Sequence, residues 1–483
     1  MDYPTLGLLI DGRWLEADAA RDSLPVRNPA TGAVLGSLPM CGAEDLDHAV
    51  EAAARAFPAW GGTTALARAR LLGRIAASIR EQAGTLAPIL TSEQGKTLGE
   101  ASAEIEAAAD TFEWMAEEGK RVYGRIVPSR IAESEYLVLR EPVGPVGAFT
   151  PWNAPAVLFA RKVATALAAG CTIVAKPSEE TPGICVEIAR RCMSAGLPAG
   201  VLNVVFGVPG DVSQHLIAHP GIRMLSFTGS VPVGRRLLEQ SSRRMKRIQL
   251  ELGGHSPVIV DRGVDVARIA ALAAAAKFRN AGQNCHGPTR FLVHRGVYGA
   301  FCTLFAEASR AIRVGNGMDP QTRMGPLIHG RRVEAMQAFT EDARGRGAEV
   351  LCGGHPPAGA ATGNFWMPTV ISDVPDDARA MRDEVFGPIA LIAPFDDLDE
   401  ALERANAVEY GLGAYAFSNS VDVLDRIQRR IEAGNLSINT FTITMPEVPF
   451  AGIKLSGMGC EMGSEGLLEY LNIKTVLRVA RLP

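Results

Sequence analysis

The spacing of apolar and polar residues divides the chain into blocks of different period. Over residues 6–38, short apolar runs alternate with the turn signals Asp11-Gly12, Asn28-Pro29 and Thr31-Gly32, which predicts short strands. From Gly42 to Gly119 the pattern is helical. Ala43-Glu44-Asp45 opens one helix, Arg68–Arg80 repeats apolar residues at three and four, and Glu100–Glu118 does so over a longer span. Residues 121–141 switch to period two, first Arg121–Pro128 and then Glu135–Glu141, and predict a hairpin. A hairpin isolated between helical blocks is marginal alone. It needs a partner sheet, and another subunit is one source.

From Gly144 strand-like and helix-like runs alternate. Val146–Thr150, Thr172–Lys176, Val201–Val205, Met224–Thr228 and Ile248–Leu252 read as strands, with helices between them. Repeated strand–helix units argue for a doubly wound parallel sheet, whose ligands sit outside the carboxyl ends of the strands. A second α/β block runs from Gly254 to Pro449, with strands at Pro257–Val260, Phe291–Val293, Val370–Ile371, Ala390–Ala393 and Leu436–Asn439. The glycine-rich residues 449–466 read as a loop, and Leu467–Val479 as a short helix and closing strand.

Composition narrows the class. With 483 residues the chain is too long for one ordinary core, so two or three domains are expected. The net charge of −4 implies no polyanion-binding surface, and Arg243-Arg244-Met-Lys246-Arg247 reads as a solvated helix end. No run approaches the roughly 18 apolar residues of a membrane span. Leu6–Ile10, interrupted by Gly7, is too short for a signal peptide. The eight cysteines show no paired spacing, which suggests reduced thiols and a cytoplasmic address. No CxxC or His-rich cluster offers a metal site.

One stretch carries candidate chemistry. An alanine-rich run, Ala270–Ala276, is broken by Gly282; Cys285 falls in the break, and Gly287-Pro288 and the strand-like Arg290–His294 follow. A cysteine there can meet a ligand closely, and a buried structural thiol is the plain alternative. Four other features are weak singly. Asn153 sits in a proline-flanked turn after a strand, where asparagine usually serves the backbone. Lys176 ends an apolar strand, either snorkelling or facing a crevice. Gly229–Gly234 opens a helix and could hold a pyrophosphate on its N–H groups. Glu251 interrupts Leu250-Glu-Leu252-Gly-Gly254 and could be a simple strand-edge acid.

Together these stretches resemble the aldehyde dehydrogenase superfamily, the NAD(P)-dependent non-phosphorylating enzymes, nearly end to end. The motifs are Phe149-Thr-Pro-Trp-Asn153, Lys176-Pro-Ser-Glu-Glu-Thr-Pro182, Phe227-Thr-Gly-Ser230, Leu250-Glu-Leu-Gly-Gly254, Gly282-Gln-Asn-Cys285, Glu384-Val-Phe-Gly-Pro388 and Pro449–Gly457. The resemblance implies an α/β, aldehyde dehydrogenase-like fold. It would comprise a Rossmann-type cofactor domain (1–120 and 142–253), an α/β catalytic domain (254–449) and a small β oligomerisation arm (121–141 and 467–483). A homodimer or homotetramer would follow.

It also implies roles. Cys285 would be the nucleophile, since a thiolate attacks an aldehyde readily and forms a good acyl carrier. The Asn153 amide and the Cys285 backbone N–H would hold the oxyanion. After hydride leaves for the nicotinamide, Glu251 would activate the water that hydrolyses the thioester. Burial without a nearby cation should raise the pKa of that glutamate. Lys176 and Glu179 would take the adenosine ribose, favouring NAD and leaving NADP possible. The helix after Gly229 and Ser230 would face the pyrophosphate, Glu384 the nicotinamide ribose and Phe386 the ring. Thr150, Trp152, Ser178, Gly207 and Leu252 would complete the cofactor crevice, with no metal.

Two residues depart from the family pattern. His286 follows the nucleophile where small or apolar residues are commoner; it could tune thiolate formation, and an oriented surface or loop histidine is the plainer reading. Ala451 replaces a usual glycine.

Two arginines bear on the substrate. Arg161 lies eight residues after Asn153, and Arg279 six before Cys285. Both positions match arginines that hold the distal carboxylate in succinate-semialdehyde dehydrogenases, where a loop hydroxyl, here nearest Thr444, assists. Guanidinium groups grip carboxylates bidentately and stay charged; structural ion pairs are the alternative. Succinate semialdehyde is therefore the expected substrate, ahead of 2-oxoglutarate semialdehyde, lactaldehyde or a plain aliphatic or aromatic aldehyde. Two other classes compete. A CoA-acylating relative would not use the hydrolytic base Glu251, and a non-catalytic scaffold would not need Cys285, Asn153, Glu251 and Lys176 together.

Overall fold

Five parallel strands form the centre of an eight-stranded sheet, in the order Leu202–Val204, Ile173–Lys176, Val146–Phe149, Met224–Thr228 and Arg247–Glu251. The structure, a computed structural model, describes residues 3–18, 21–359 and 363–479. Expected segments reaching residues 1–2 and 480–483 extend outside that range. The first four of these strands are buried along their whole length, as strands covered by helices on both faces must be, and the fifth is half-buried at Arg247-Ile248. Gly7–Ile10 and Arg13–Glu16 extend one edge antiparallel.

Strand order reverses at Val146–Phe149 and Met224–Thr228, so the crevice of this sheet opens where their carboxyl ends diverge. The turns Thr150–Asn153 and Gly229-Ser230 leave from those two ends.

A seven-stranded sheet follows, in the order Glu349–Cys352, Thr369–Ser372, Ile389–Phe395, Arg290–His294, Pro257–Val260, Gly413–Phe417 and Asn435–Ile438. All its pairs are parallel except the first. Separate apolar cores cover its two faces, one around Phe291, Phe301 and Phe305, the other around Leu292, Phe395 and Leu402.

Three expectations need correction. The hairpin Arg125–Pro128 and Ser134–Pro142 does have a partner strand, but it is this chain's own Leu471–Val479, paired along nine residues. The run at 449–466 is not all loop. Gly457–Met458 pairs with Leu250-Glu251 as the last strand of the first sheet, and Ile453–Lys454 pairs with Tyr410–Gly411. The closing helix begins earlier than expected, at Gly463 rather than Leu467. Tertiary pairing here overrides the low strand preference of glycine.

Candidate active site

Helix Val266–Phe278 ends in an uncommon turn. Asn280 and Ala281 both have φ of 52° and Gly282 has φ of 68°, three successive left-handed residues. Such backbone costs about 1–2 kcal/mol at a non-glycine residue, so it persists only where neighbours fix it. They do so by hydrogen bonds. Asn280 N–H donates to Glu100 Oε1 (2.7 Å), its Nδ2 to the Asn153 carbonyl (2.8 Å), and Gln283 Oε1 accepts from Ile328 N–H (2.9 Å). Gly282 is obligatory for a second reason: a Cβ there would lie 2.1 Å from the Gly387 carbonyl oxygen. The turn delivers Cys285 to a cavity of about 390 Å³ that Asn153, Glu251, Glu384 and Phe386 also line.

Gly254 presses on the same loop, because a Cβ there would lie 2.4 Å from the Cys285 carbonyl oxygen and 2.9 Å from Leu412 Cβ. The site therefore lies between the carboxyl ends of the first sheet and the amino ends of the second. On its far wall Cys285 packs against an apolar cluster of Leu412, Phe450 and Met462.

Asn153 is held by its own backbone. Its carbonyl accepts from Lys96 Nζ (3.0 Å) and from Asn280 Nδ2, and Lys96 pairs with the buried Glu104. Glu104 in turn accepts from Ala156 N–H (2.9 Å) at the start of helix Pro155–Ala169. The Asn153 side-chain amide donates one hydrogen bond, to the Gln283 carbonyl at 3.2 Å. An amide has two N–H groups, so one is left for an oxygen in the cavity.

Glu251 is 3% exposed and neither carboxyl oxygen has a hydrogen-bond partner. Burial and the nearby Glu461 push its pKa well above the usual carboxylate range, against the opposing pull of Lys162 and Arg161. The expectation of no cation nearby is thus corrected: two are present, and desolvation outweighs them. Lys162, buried in a helix in which all but Val157 and Arg161 are buried, donates to Glu461 and to Ser226 Oγ (2.9 Å). Lys162 and Glu461 were missed in the sequence; the signal was a lysine on an apolar helix face.

Cys285 is pushed up to about 12 by burial and Glu384, with Arg161 pulling down. Burial and Glu384 thus favour the thiol of Cys285 over its thiolate.

The cofactor crevice fits a dinucleotide on several counts. Thr150 Oγ1 is buried without a partner at the reversal point of the first sheet. Ser230 opens helix Val231–Ser242 with no side-chain cap, leaving first-turn N–H groups for a pyrophosphate. A Cβ at Gly229 would lie 2.4 Å from the Phe227 ring, so only glycine fits against that ring in this turn. Further along, Lys176 pairs with Glu179 at 2.5 Å, and Gly207 N–H donates to Glu179 at 3.4 Å. Ser178 bonds Glu180 instead. Leu252 and Trp152 line the cavity, and Trp152 meets the Phe386 ring edge-on at 5.5 Å. Glu384 accepts from Gly254 N–H at 2.9 Å, and burial raises it to about 7.

Of the substrate candidates, Arg161 stands 3.8 Å from Glu461 and 5.6 Å over the Phe450 ring, with its Nε unpartnered. Arg279 is exposed, and no carboxylate pairs with it among the described residues. Thr444 is half-buried in the loop before Phe450. His286 is half-buried in a turn, an oriented loop histidine: its ring packs edge-on to Phe450 at 5.8 Å and its Nδ1 lies 3.8 Å from Cys285 Sγ.

Comparison with known proteins bears on the family and the fold. Residues 14–476 match the Aldehyde dehydrogenase family. A Comamonas testosteroni protein, putative 4-(hydroxymethyl)benzenesulfonate dehydrogenase TsaD2, is 46% identical over 473 residues, covering 98% of each chain. The succinate-semialdehyde dehydrogenase [NADP(+)] GabD of Escherichia coli (strain K12) is 42% identical over 466 residues, 96% of each chain. The crystal structure of an NAD-dependent aldehyde dehydrogenase from Sinorhizobium meliloti superposes with a TM-score of 0.97 at 35% identity, over 100% of this chain and 96% of that one. The chain belongs to the aldehyde dehydrogenase family and is an NAD(P)-dependent oxidoreductase.

Proposed function

We propose that the protein oxidises an aldehyde carrying a distal anion to the carboxylic acid, with Cys285 as nucleophile. The observation that carries the chemistry is a buried, unpartnered Glu251 facing the same cavity as Cys285 and the free amide N–H of Asn153. Cys285 releases its S–H proton to solvent, its sulfur adds to the carbonyl carbon, and the resulting oxyanion is met by the Asn153 amide and the Cys285 N–H. NAD, held in the crevice, would supply the hydride acceptor for oxidation of this thiohemiacetal to a thioester. Glu251 then takes a proton from water, which attacks the thioester and releases the acid and the thiol. Lys176 and Glu179 are proposed to hold the adenosine ribose; a carboxylate at Glu179 opposes a 2′-phosphate, which favours NAD.

Arg161 and Arg279 support an anionic substrate. Arg161 acts on Cys285 and on His286, and Arg279 acts on His286, so both cations lie near the turn that carries the nucleophile. Succinate semialdehyde is the first reading, with Thr444 assisting. A sulfonated aromatic aldehyde is the second. The relative named for 4-(hydroxymethyl)benzenesulfonate favours it, as do the rings of Phe450, His286 and Tyr415 near Cys285. Arg161→Ala and Arg279→Ala should each raise KM for either anionic aldehyde about 10-fold or more, the loss of roughly 1.5–3 kcal/mol from a charged hydrogen bond. KM for butanal should hardly move. Equal losses on anionic and neutral aldehydes would reject the anion clamp, and the ratio between succinate semialdehyde and 4-formylbenzenesulfonate ranks the two readings.

The three-stranded sheet is proposed as an oligomerisation arm in a homodimer or homotetramer. It exposes Ile126 (67%), Ile473 (63%) and Val479 (51%), apolar surface that assembly would cover. The double variant Ile126→Glu/Ile473→Glu should sediment as the 51.3 kDa chain. Unchanged sedimentation would place the interface elsewhere.

A further inference from the structure

Cys285 is opposed by two carboxylates, Glu384 and Glu251, and favoured by Arg161 and the His286 backbone N–H. A thiolate in such a place needs further donors, and the hydrogen-bond geometry of the next residue supplies one. Asn284 Oδ1 accepts from the His286 backbone N–H at 3.4 Å and faces Cys285 Sγ at 3.9 Å. The backbone N–H can only donate, whatever the state of the sulfur, and it fixes the amide orientation. Asn284 Nδ2, a pure donor, is therefore the atom that meets His286 Nε2 at 3.0 Å. Nε2 must accept, so it carries no proton. The single proton of a neutral imidazole is then on Nδ1. Nδ1 lies 3.8 Å from Cys285 Sγ, within N–H···S reach.

The ring is fixed in that pose. Tyr415 OH donates to the His286 carbonyl at 2.8 Å, Phe450 packs edge-on against the imidazole, and His286 Cβ sits close against Gly413. A charged imidazolium is excluded by its surroundings: burial, Arg279 and Arg161 hold His286 down to about 3. The residue is thus not a base that takes the thiol proton, as in a cysteine–histidine ion pair. Its proton points at sulfur and stays on nitrogen.

We propose that His286, fixed in the Nδ1–H tautomer by Asn284, donates a hydrogen bond to the Cys285 sulfur and stabilises its thiolate for attack. This rests on Cys285 being the nucleophile. The arrangement also orients the sulfur, because the donor constrains one side of it while the Leu412–Phe450–Met462 cluster constrains another.

The test follows alkylation of Cys285 by iodoacetamide against pH, read by peptide mass, in the wild type, His286→Phe and His286→Asn. Phe keeps a ring of similar bulk without the donor, and Asn restores a short N–H. In His286→Phe the alkylation limb should move up by about one pH unit, so the rate near neutral pH falls on the order of 10-fold, while NAD binding and the melting temperature hold. His286→Asn should recover part of that loss. Superimposable wild-type and His286→Phe profiles, with Cys285→Ala inactive, would overturn the donor role alone. An extra limb near pH 6–7 in the wild type that vanishes in His286→Phe would mean a titrating base and overturn it too. Turnover by Cys285→Ala would instead overturn the parent reading of Cys285.

Discussion

Glu251→Gln is expected to give one equivalent of NADH per active site in a rapid burst and then almost none. The thioester still forms, since Cys285, Asn153 and the cofactor crevice are untouched, but no group is left to deprotonate water. Steady-state turnover should fall by about 10²–10⁴-fold, the usual range for a lost general base. The wild-type pH profile follows from the raised pKa of Glu251: only its carboxylate form is a base, so kcat should rise with pH along a limb above the ordinary carboxylate range. That limb should be missing in the variant.

Stability has the matching sign. A carboxyl whose folded pKa is raised favours folding below its unfolded pKa, and that contribution is lost as pH rises through the folded pKa. Glu251→Gln, which removes the ionisation, should therefore resist denaturant better than the wild type at alkaline pH. A linear NADH trace from the first seconds would show that Glu251 does not gate hydrolysis.

The second large effect is expected at a residue that touches no substrate. Lys162 is 1% exposed and its ammonium is shared between Glu461 and Ser226. Lys162→Met strands Glu461 beside Glu251 with Arg161 as the remaining cation, and Arg161 is only an ion-pair distance of 3.8 Å away. Breaking a buried pair from one side costs about 3–5 kcal/mol, whereas replacing both partners by apolar groups is often neutral. Denaturant midpoints should drop steeply for Lys162→Met and recover in Lys162→Met/Glu461→Met. If the double variant is no better than the single, the pair is not the unit that matters.

The contrast between these two residues explains what could be read from the chain and what could not. Glu251, Asn153 and Cys285 stand in short runs flanked by glycine or proline, so local punctuation marked them. The Lys162–Glu461 pair joins residues 299 apart, and only the packing of a buried helix under the late loop brings them together. The strand–helix alternation from Gly144 onward matched the parallel sheet closely because its strands are short, largely buried runs set off by turns such as Gly170 and Gly229-Ser230. Gly457–Met458 escaped notice because its strand character comes from its partner Leu250-Glu251, not from its own residues. The left-handed run at Asn280, Ala281 and Gly282 was visible only at its glycine. The pair Gly253-Gly254 could be read as a motif, but its reason is spatial: Cβ atoms there would strike Glu384 and the Cys285 carbonyl. His286 looked peripheral because its partner, Asn284, acts through geometry that sequence does not carry.

The central claim is that the acyl group is carried on Cys285. The most direct measurement mixes Glu251→Gln with NAD and succinate semialdehyde, quenches in acid within the burst, and maps the adduct by peptide mass. The expected result is a succinyl thioester on the peptide containing Cys285, in the same amount as the NADH released. NADH release with an unmodified Cys285 peptide, or an adduct on another cysteine, would contradict it.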